Sequence, residues 1–308
     1  MDFRALYKQT FKLTWQNSLL WFFGFFATFF ATNEIVLGLL HFKQINSWIN
    51  NLFTIKIIQT QFQQIFQSLG SFKPYSPLAL LNLILAAVLI ILFFYLAFLS
   101  QIFLISAAKH FRDKEEFSIR KLWQNNKKFF WPVVGFYLIA FLIVFGLFNL
   151  IHLSIFLRVP VIVYIIVLIL LEIFISFIVR YAIFFTILKK EPFFTAIKKG
   201  AFFFFKNWFK TIKMTWWLFC LTVLIGLGIG LLFVGSSAPF LVFVGLLYRL
   251  NSFVGLLIIM LFWTFLMGII FLLTCSIFSA FHFLSWASLF LELNDGEKIV
   301  DKDVEQLI

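Results

Sequence analysis

The sequence predicts an all-α fold: a polytopic transmembrane helical bundle of about six spans, built as three units of surface arm plus helical hairpin. Three observations predict it. The 308 residues are 63% hydrophobic and 12% charged, against about 45–50% and 25% in a soluble domain, and mean hydropathy is +1.02. The apolar residues fall in long uncharged runs, and about 20 such residues cross a hydrocarbon core of about 30 Å. Lys and Arg gather between alternate runs, the asymmetry that orients helical membrane proteins.

The runs place spans at about 18–40, 78–105, 130–157, 161–188, 215–235 and 253–275. No small-residue cleavage site follows the first run, so it is expected to stay as a span. The prolines agree with this division. Pro74 and Pro77 precede the second span, Pro132 opens the third, and Pro160 sits in the turn before the fourth. Pro192 and Pro239 are expected to follow the fourth and fifth, since proline is kept to helix starts and connections. The units run 3–105, with an outer loop at 41–76, then 109–188 and 191–293, before an acidic tail at 294–308.

With the N-terminus inside, twenty of the 25 Lys and Arg residues fall on inner segments. This predicts both termini in the cytosol, in the inner or plasma membrane of a prokaryote; the heavy use of Phe, Ile, Lys and Asn fits an AT-rich prokaryotic genome. Residues 252–293 contain no proline and no charge before Glu292. One helix of that length would run about 63 Å, twice the core thickness. The sixth span is therefore expected to end near Cys275, with 276–293 along the inner surface rather than forming a seventh span.

Each unit opens with a basic, aromatic arm: "FRALYKQTFKLTWQNSLLW" from Phe3, "FSIRKLWQNNKKFFW" from Phe117 and "AIKKGAFFFFKNWFKTIKMTWW" from Ala196. Trp-Gln-Asn occurs in the first two. Helical spacing puts Arg4, Lys8 and Lys12 in one row and Phe3, Tyr7, Phe11 and Trp15 in another. In the third arm Lys199, Lys206, Lys210 and Lys213 share one face, with Ile197, Ala201, Phe204, Trp208 and Ile212 on another. This is the pattern of an interfacial helix, with rings at the acyl boundary and cations toward anionic headgroups of the inner leaflet. Each such lysine contributes roughly 1 kcal/mol. A nucleic-acid partner would need those rings exposed to water as a stacking platform, so none is expected, although a protein partner could dock on the cytosolic loops.

The polar positions inside the spans are few. Glu172 lies about 16 Å into the fourth span, near the midplane, where an acid costs roughly 2.5–3.5 kcal/mol. It is a candidate proton or cation site, with a structural hydrogen bond as the alternative. Arg180 is expected to snorkel to the interface or to meet Glu172 from an adjacent helix. Glu34 and His152 fall near outer span ends, and His282 lies in the last stretch. Together they form no metal signature. Cys220 and Cys275 are expected as buried apolar residues without a disulfide. Gly226, Gly228 and Gly230 offer a G-x-x-x-G spacing for packing within the chain, with dimerisation as the alternative. No phosphate-binding loop, zinc-protease or nucleophile-elbow motif is visible, so neither a cofactor nor a catalytic residue is expected.

The arm-then-hairpin repetition, "TWQNSLLWFFGFFATF" and the closing "FHFLSWASLFLEL" resemble uncharacterised prokaryotic six-span families, including those similar to the membrane domain of glycerophosphoryl diester phosphodiesterases. In those phosphodiesterases catalysis belongs to a soluble domain with no counterpart in this sequence, so the resemblance transfers no catalytic residue. Three functions are then open: a non-enzymatic protein that organises lipid or a partner through its arms, a permease subunit using Glu172, and a lipid-modifying enzyme. The charge distribution makes the first prediction. Single cysteines placed in the 109–128 and 189–213 connections should react with a membrane-impermeant thiol reagent only after the cell is opened; labelling of intact cells would reverse the orientation.

Overall fold

The computed structural model describes residues 3–31, 77–113, 123, 126–149, 161–249 and 253–305. Among them are eight helices and no strand: α1 (Phe3–Gln16), α2 (Ser18–Ala31), α3 (Pro77–Asp113), α4 (Phe130–Asn149) entered through a 3₁₀ turn at Lys127–Phe129, α5 (Val161–Lys189), α6 (Phe193–Lys206), α7 (Trp208–Arg249) and α8 (Phe253–Glu305). Stretches of α3, of α4 with its 3₁₀ turn, of α5, of α7 and of α8 are long and apolar enough to cross a membrane. The chain is an all-α helical membrane bundle. The apolar α2 is the described part of the expected first span; the outer loop at 41–76 and most of the second arm lie outside the described residues.

Burial divides the bundle into two layers. In one, the helices show lipid-type surfaces: Ile91 on α3, Phe141 on α4, Ile166 on α5, Leu231 on α7 and Phe262 on α8 are all exposed. In the other, where the arms α1 and α6 lie, Leu99–Ala108 of α3, Tyr181–Leu188 of α5 and most of Ser276–Leu293 of α8 are buried together. The contrast follows from the solvent. Lipid tails are as apolar as leucine, so apolar area alone does not press one helix onto another, and cohesion has to come from close packing and hydrogen bonds.

The division corrects the expectation for the last stretch. α8 is one continuous helix of 53 residues, about 80 Å long. Its first part carries exposed residues from Val254 to Leu273, about 20 residues and hence one crossing. The segment 276–293 does not lie along a surface. It is the central helix of the packed layer, with Ser279, Ala280, Ser285, Ala287, Leu289 and Phe290 wholly buried. Its small residues let neighbours approach closely, and it carries no charge to oppose burial before Glu292. Pro239 also departs from expectation: it lies inside α7, which continues to Arg249. Ser236 and Ser237 donate to the carbonyls of Phe233 (3.0 Å) and Val234 (2.6 Å), in the turn that the proline ring disturbs. Side-chain hydroxyls of this kind make proline tolerable in membrane helices.

Two backbone contacts close the packed layer. At Gly24 a Cβ would stand 2.0 Å from the carbonyl oxygen of Ser276, so α2 and α8 touch main chain to main chain. Ser276 Oγ donates to the Trp21 carbonyl, and Thr28 Oγ1 lies 3.4 Å from that of Cys275. At Gly200 a Cβ would stand 2.8 Å from the Ala182 nitrogen, which seats α6 on α5. Aromatic contacts extend these seams: Phe23 stacks on Phe103 at 3.8 Å and Phe136 on Phe193 at 4.3 Å. By contrast, a Cβ at Gly226, Gly228 or Gly230 would meet nothing within 4 Å among the described residues. Among the described residues those glycines find no packing partner, contrary to expectation, and Cys220 on the same helix is exposed rather than buried.

Asparagine marks each junction between arm and span. Asn17 separates α1 from α2; its Nδ2 donates to Leu13 O (2.9 Å) and its carbonyl accepts from Leu20 N (2.9 Å). Asn207 separates α6 from α7 with the same pattern, donating through Nδ2 to Phe203 O (3.3 Å) and accepting from Thr211 N (3.1 Å). Each residue thus ends one helix and begins the next. At the second junction Asn126 accepts from Ser106 Oγ (3.0 Å). The turn from α5 into the third arm uses Lys190 at φ 58°, with Glu191 N donating to Phe185 O at 3.3 Å. The left-handed residue stops the helix, and the wider bond behind it ties the turn back to the last turn of α5.

The glycine contacts yield a paired prediction. Gly24→Val should lower stability in detergent by about 1–3 kcal/mol through overpacking, read as an earlier thermal loss of the monodisperse peak. Gly226→Ala should be neutral or stabilising by up to about 1 kcal/mol, because it only improves helix propensity.

Candidate functional site: a basic aromatic platform and a buried polar seam

The arms bury one face and expose two. On α6 and the start of α7 the buried row is Ala196, Gly200, Phe203, Phe204, Asn207, Thr211, Met214 and Leu218. Only Phe204 of the expected apolar row is fully buried; Ile197 and Ala201 are partly so, while Trp208 and Ile212 are exposed. The packing face is rotated by about one residue, or 100°, because Gly200 and Ala196 permit the close approach that larger side chains forbid. On α1 the buried row is Leu6, Thr10 and Thr14. The two threonines satisfy their hydroxyls on Leu6 O (2.8 Å) and Thr10 O (2.9 Å), which lets polar residues face the packed layer.

The two described arms are joined. Tyr7 OH donates to Met214 Sδ at 2.8 Å, and the Tyr7 ring lies 6.1 Å from Trp217 and 6.3 Å from Phe281. Lys213 Nζ stands 4.9 Å over the Phe3 ring. Burial removes the Tyr7 hydroxyl from water and raises its pKa from the ordinary value near 10 to about 12. The outward rings include Phe11, Trp15, Phe202, Trp208 and Phe209, the last 67% exposed.

The cations predicted to meet headgroups occupy different environments. Arg4, Lys8 and Lys12 are exposed along α1, and Lys210 is exposed on α7. Lys206 lies 6.0 Å over Phe202. Lys199 pairs with Glu191 at 2.5 Å, a bond across the start of the arm. Half of that lysine is exposed, so the pair contributes little, about 0–1 kcal/mol, but it commits Lys199 to the protein.

The second feature is a polar seam between α5 and α8. The Arg180 guanidinium sits 4.4 Å over the ring of Trp286, which is 1% exposed. Arg180 thus lies against the central helix. Beside it, the His282 ring lies among Phe278, Phe283 and Trp286 at 5.9–6.4 Å between centroids. Both His282 ring nitrogens, and the hydroxyls of Ser279 and Ser285, make no hydrogen bond among the described residues. A cation and several donors gathered in a buried layer can hold water or a small anion, since buried polar groups ordinarily find partners. Glu172 lies on the same helix as Arg180, half-buried in the loosely packed layer. Glu34 and His152 lie outside the described residues. No cluster of three metal-ligating side chains occurs among the described residues.

The asparagine junctions and the Tyr7–Met214 bond escaped the sequence reading. The first had a visible signal, since Asn stands at or next to Trp-Gln-Asn in two arms and in Lys-Asn-Trp in the third. The second had none, because its partners are 207 positions apart. Comparison of the chain with family models, curated proteins and solved structures returns no match.

Tyr7 supplies a pH prediction. A raised folded-state pKa means that the linked stability is complete below about pH 10 and is lost as the pH climbs toward about 12. Phenolate absorbance should therefore show a late step in the wild type that Tyr7→Phe removes, and the variant should lose less stability than the wild type across that alkaline window.

Proposed function

We propose that this protein is a non-enzymatic organiser of membrane lipid, gathering anionic headgroups on its basic aromatic arms, with both termini in the cytosol of a prokaryotic cell. One observation carries this reading: besides the row that packs inward, Phe203 and Phe204 included, α1, α6 and the start of α7 turn Phe11, Trp15, Phe202, Trp208 and Phe209 outward together with Lys8, Lys12, Lys206 and Lys210. A helix that needed its rings only for its own fold would bury them. Outward rings beside outward lysines match a headgroup boundary, where the rings gain from the acyl edge and each lysine contributes about 1 kcal/mol against an anionic surface. The likeness in layout to the membrane domain of glycerophosphoryl diester phosphodiesterases is consistent with a lipid-facing role.

A second reading, a permease subunit, draws support from the buried seam of Arg180, His282 and Trp286 and from the acid Glu172 on the same helix. Unchanged pH-dependent flux in vesicles bearing Glu172→Gln would remove its proton-coupled form.

The lipid reading is tested with spin-labelled lipids around the reconstituted protein. Phosphatidylglycerol should be enriched over phosphatidylcholine in the wild type. Replacing Lys8, Lys12, Lys206, Lys210 and Lys213 by Gln should reduce that enrichment about fivefold or more, and high salt should do part of the same. Equal enrichment in wild type and variant would overturn the proposal.

A further inference from the structure

Between α2 and α8, at the border of the two layers, lies an open groove of about 410 Å³, within the range of small-ligand sites, roughly 300–1,000 Å³. Its two walls are antiparallel. Gly24 packs on Ser276 and Ala280, and Thr28, one turn further along α2, reaches back to Cys275. The groove therefore has a direction. At the arm end it is bounded by Ser18, Trp21 and Ser276; at the far end by Phe25 and Ile269, with Leu272 between.

The polar end joins the first arm without a break. Trp21 Nε1 donates to Thr14 O at 2.8 Å, folding the indole back over the junction. Trp15 lies 5.6 Å from Trp21 between centroids and 6.0 Å from Phe11. Lys12 stands three positions before Trp15, and residues so spaced are neighbours on a helix; Lys8 is one turn earlier, and both are exposed. A row of cations, an aromatic ledge with hydroxyls and a greasy trough thus follow one another from the arm into the bundle.

We infer that this groove holds one acyl chain of an anionic phospholipid, with the phosphate end at the Lys8–Lys12–Trp15 side of the α1–α2 junction. Charge and polarity select the occupant. A second protein helix would have to enter a trough bounded at one end by the arm, whereas a phospholipid has a negative head, a polar shoulder and an apolar tail in the order in which the groove presents their complements. A neutral lipid would leave the cations unanswered. The inference rests on the reading that the arms lie at the membrane surface, and it adds a specific seat to their general attraction for anionic lipid.

The test uses the full-length protein in phosphatidylcholine vesicles carrying a minor share of phosphatidylglycerol, with a photoreactive diazirine in the acyl chain of one lipid at a time. Phosphatidylglycerol should label peptides 18–25 and 269–276 severalfold more than 224–234 of α7, an exposed apolar stretch outside the groove. Leu272→Trp, which fills the trough at a half-exposed position, should abolish the excess, and Ser18→Phe should do so from the other wall should the first variant misfold. Lys8→Gln with Lys12→Gln should reduce the phosphatidylglycerol signal to the phosphatidylcholine level. Labelling of the groove no stronger than of 224–234, no effect of either filling variant in folded protein, or equal labelling by the two lipids would each overturn the inference. The spin-label enrichment around the arms is read separately in the same vesicles. Enrichment without groove labelling removes the seat alone, and loss of enrichment removes the surface reading.

Discussion

The structure depends on the main-chain contact between Gly24 and Ser276. In hydrocarbon a leucine gains nothing by leaving lipid for protein, so helices that must stay together need surfaces that meet more closely than lipid can pack against either. Gly24 and Gly200 provide such surfaces, and each lies where an arm or its adjoining span meets the rest of the bundle. Around them the polar contacts accumulate: Ser276 to Trp21, Tyr181 to Thr211 at 2.7 Å, Gln101 to Tyr137 at 2.7 Å. Individually such bonds average about 0.6 kcal/mol in membranes. Together they fix the register of a layer that apolar area alone would leave free to slide.

That layer explains why the arms are part of the fold as well as part of the surface. α6 packs on α5 through Gly200, and α1 reaches α7 and α8 through Tyr7 and Phe11. Their inner faces combine small and hydroxylated residues with Phe203 and Phe204, and their outer faces carry further large rings beside the lysines. A soluble amphipathic helix would keep such rings off its outer face. Rings on both faces suit a protein whose outside is greasy at one depth and charged at the next.

Much of this was legible in the sequence for local reasons. Uncharged runs mark the long apolar helices, and basic aromatic periodicity marks the arms. What escaped was set by distant partners. The buried face of the third arm is one residue away from the row that hydrophobicity alone selects, because Ala182 of α5 leaves room for glycine and for little else. Residues 276–293 read as a surface helix because no single stretch announces that α1, α2, α3 and α5, from distant parts of the chain, will pack on their helix. Pro239 looked like a boundary because the serines that accommodate it speak only through hydrogen bonds. Among the predicted site residues, the contact of Arg180 with Trp286 was out of reach, since Trp286 lies more than a hundred positions downstream.

The placement of α8 has a consequence for biogenesis. Chains emerge from the ribosome N-terminus first, and early segments begin to order before late ones exist. Here α1, α2, α3 and α5 all rest on a helix that is made after them. Until its second half has been synthesised, seams between earlier helices, such as α6 on α5 through Gly200, can form, but the helix that joins α1, α2, α3 and α5 is missing. Completion of the packed layer must therefore wait for the final stretch, as an arch waits for its keystone, and a chain ending near residue 275 would hold every apolar crossing but lack the core of that layer.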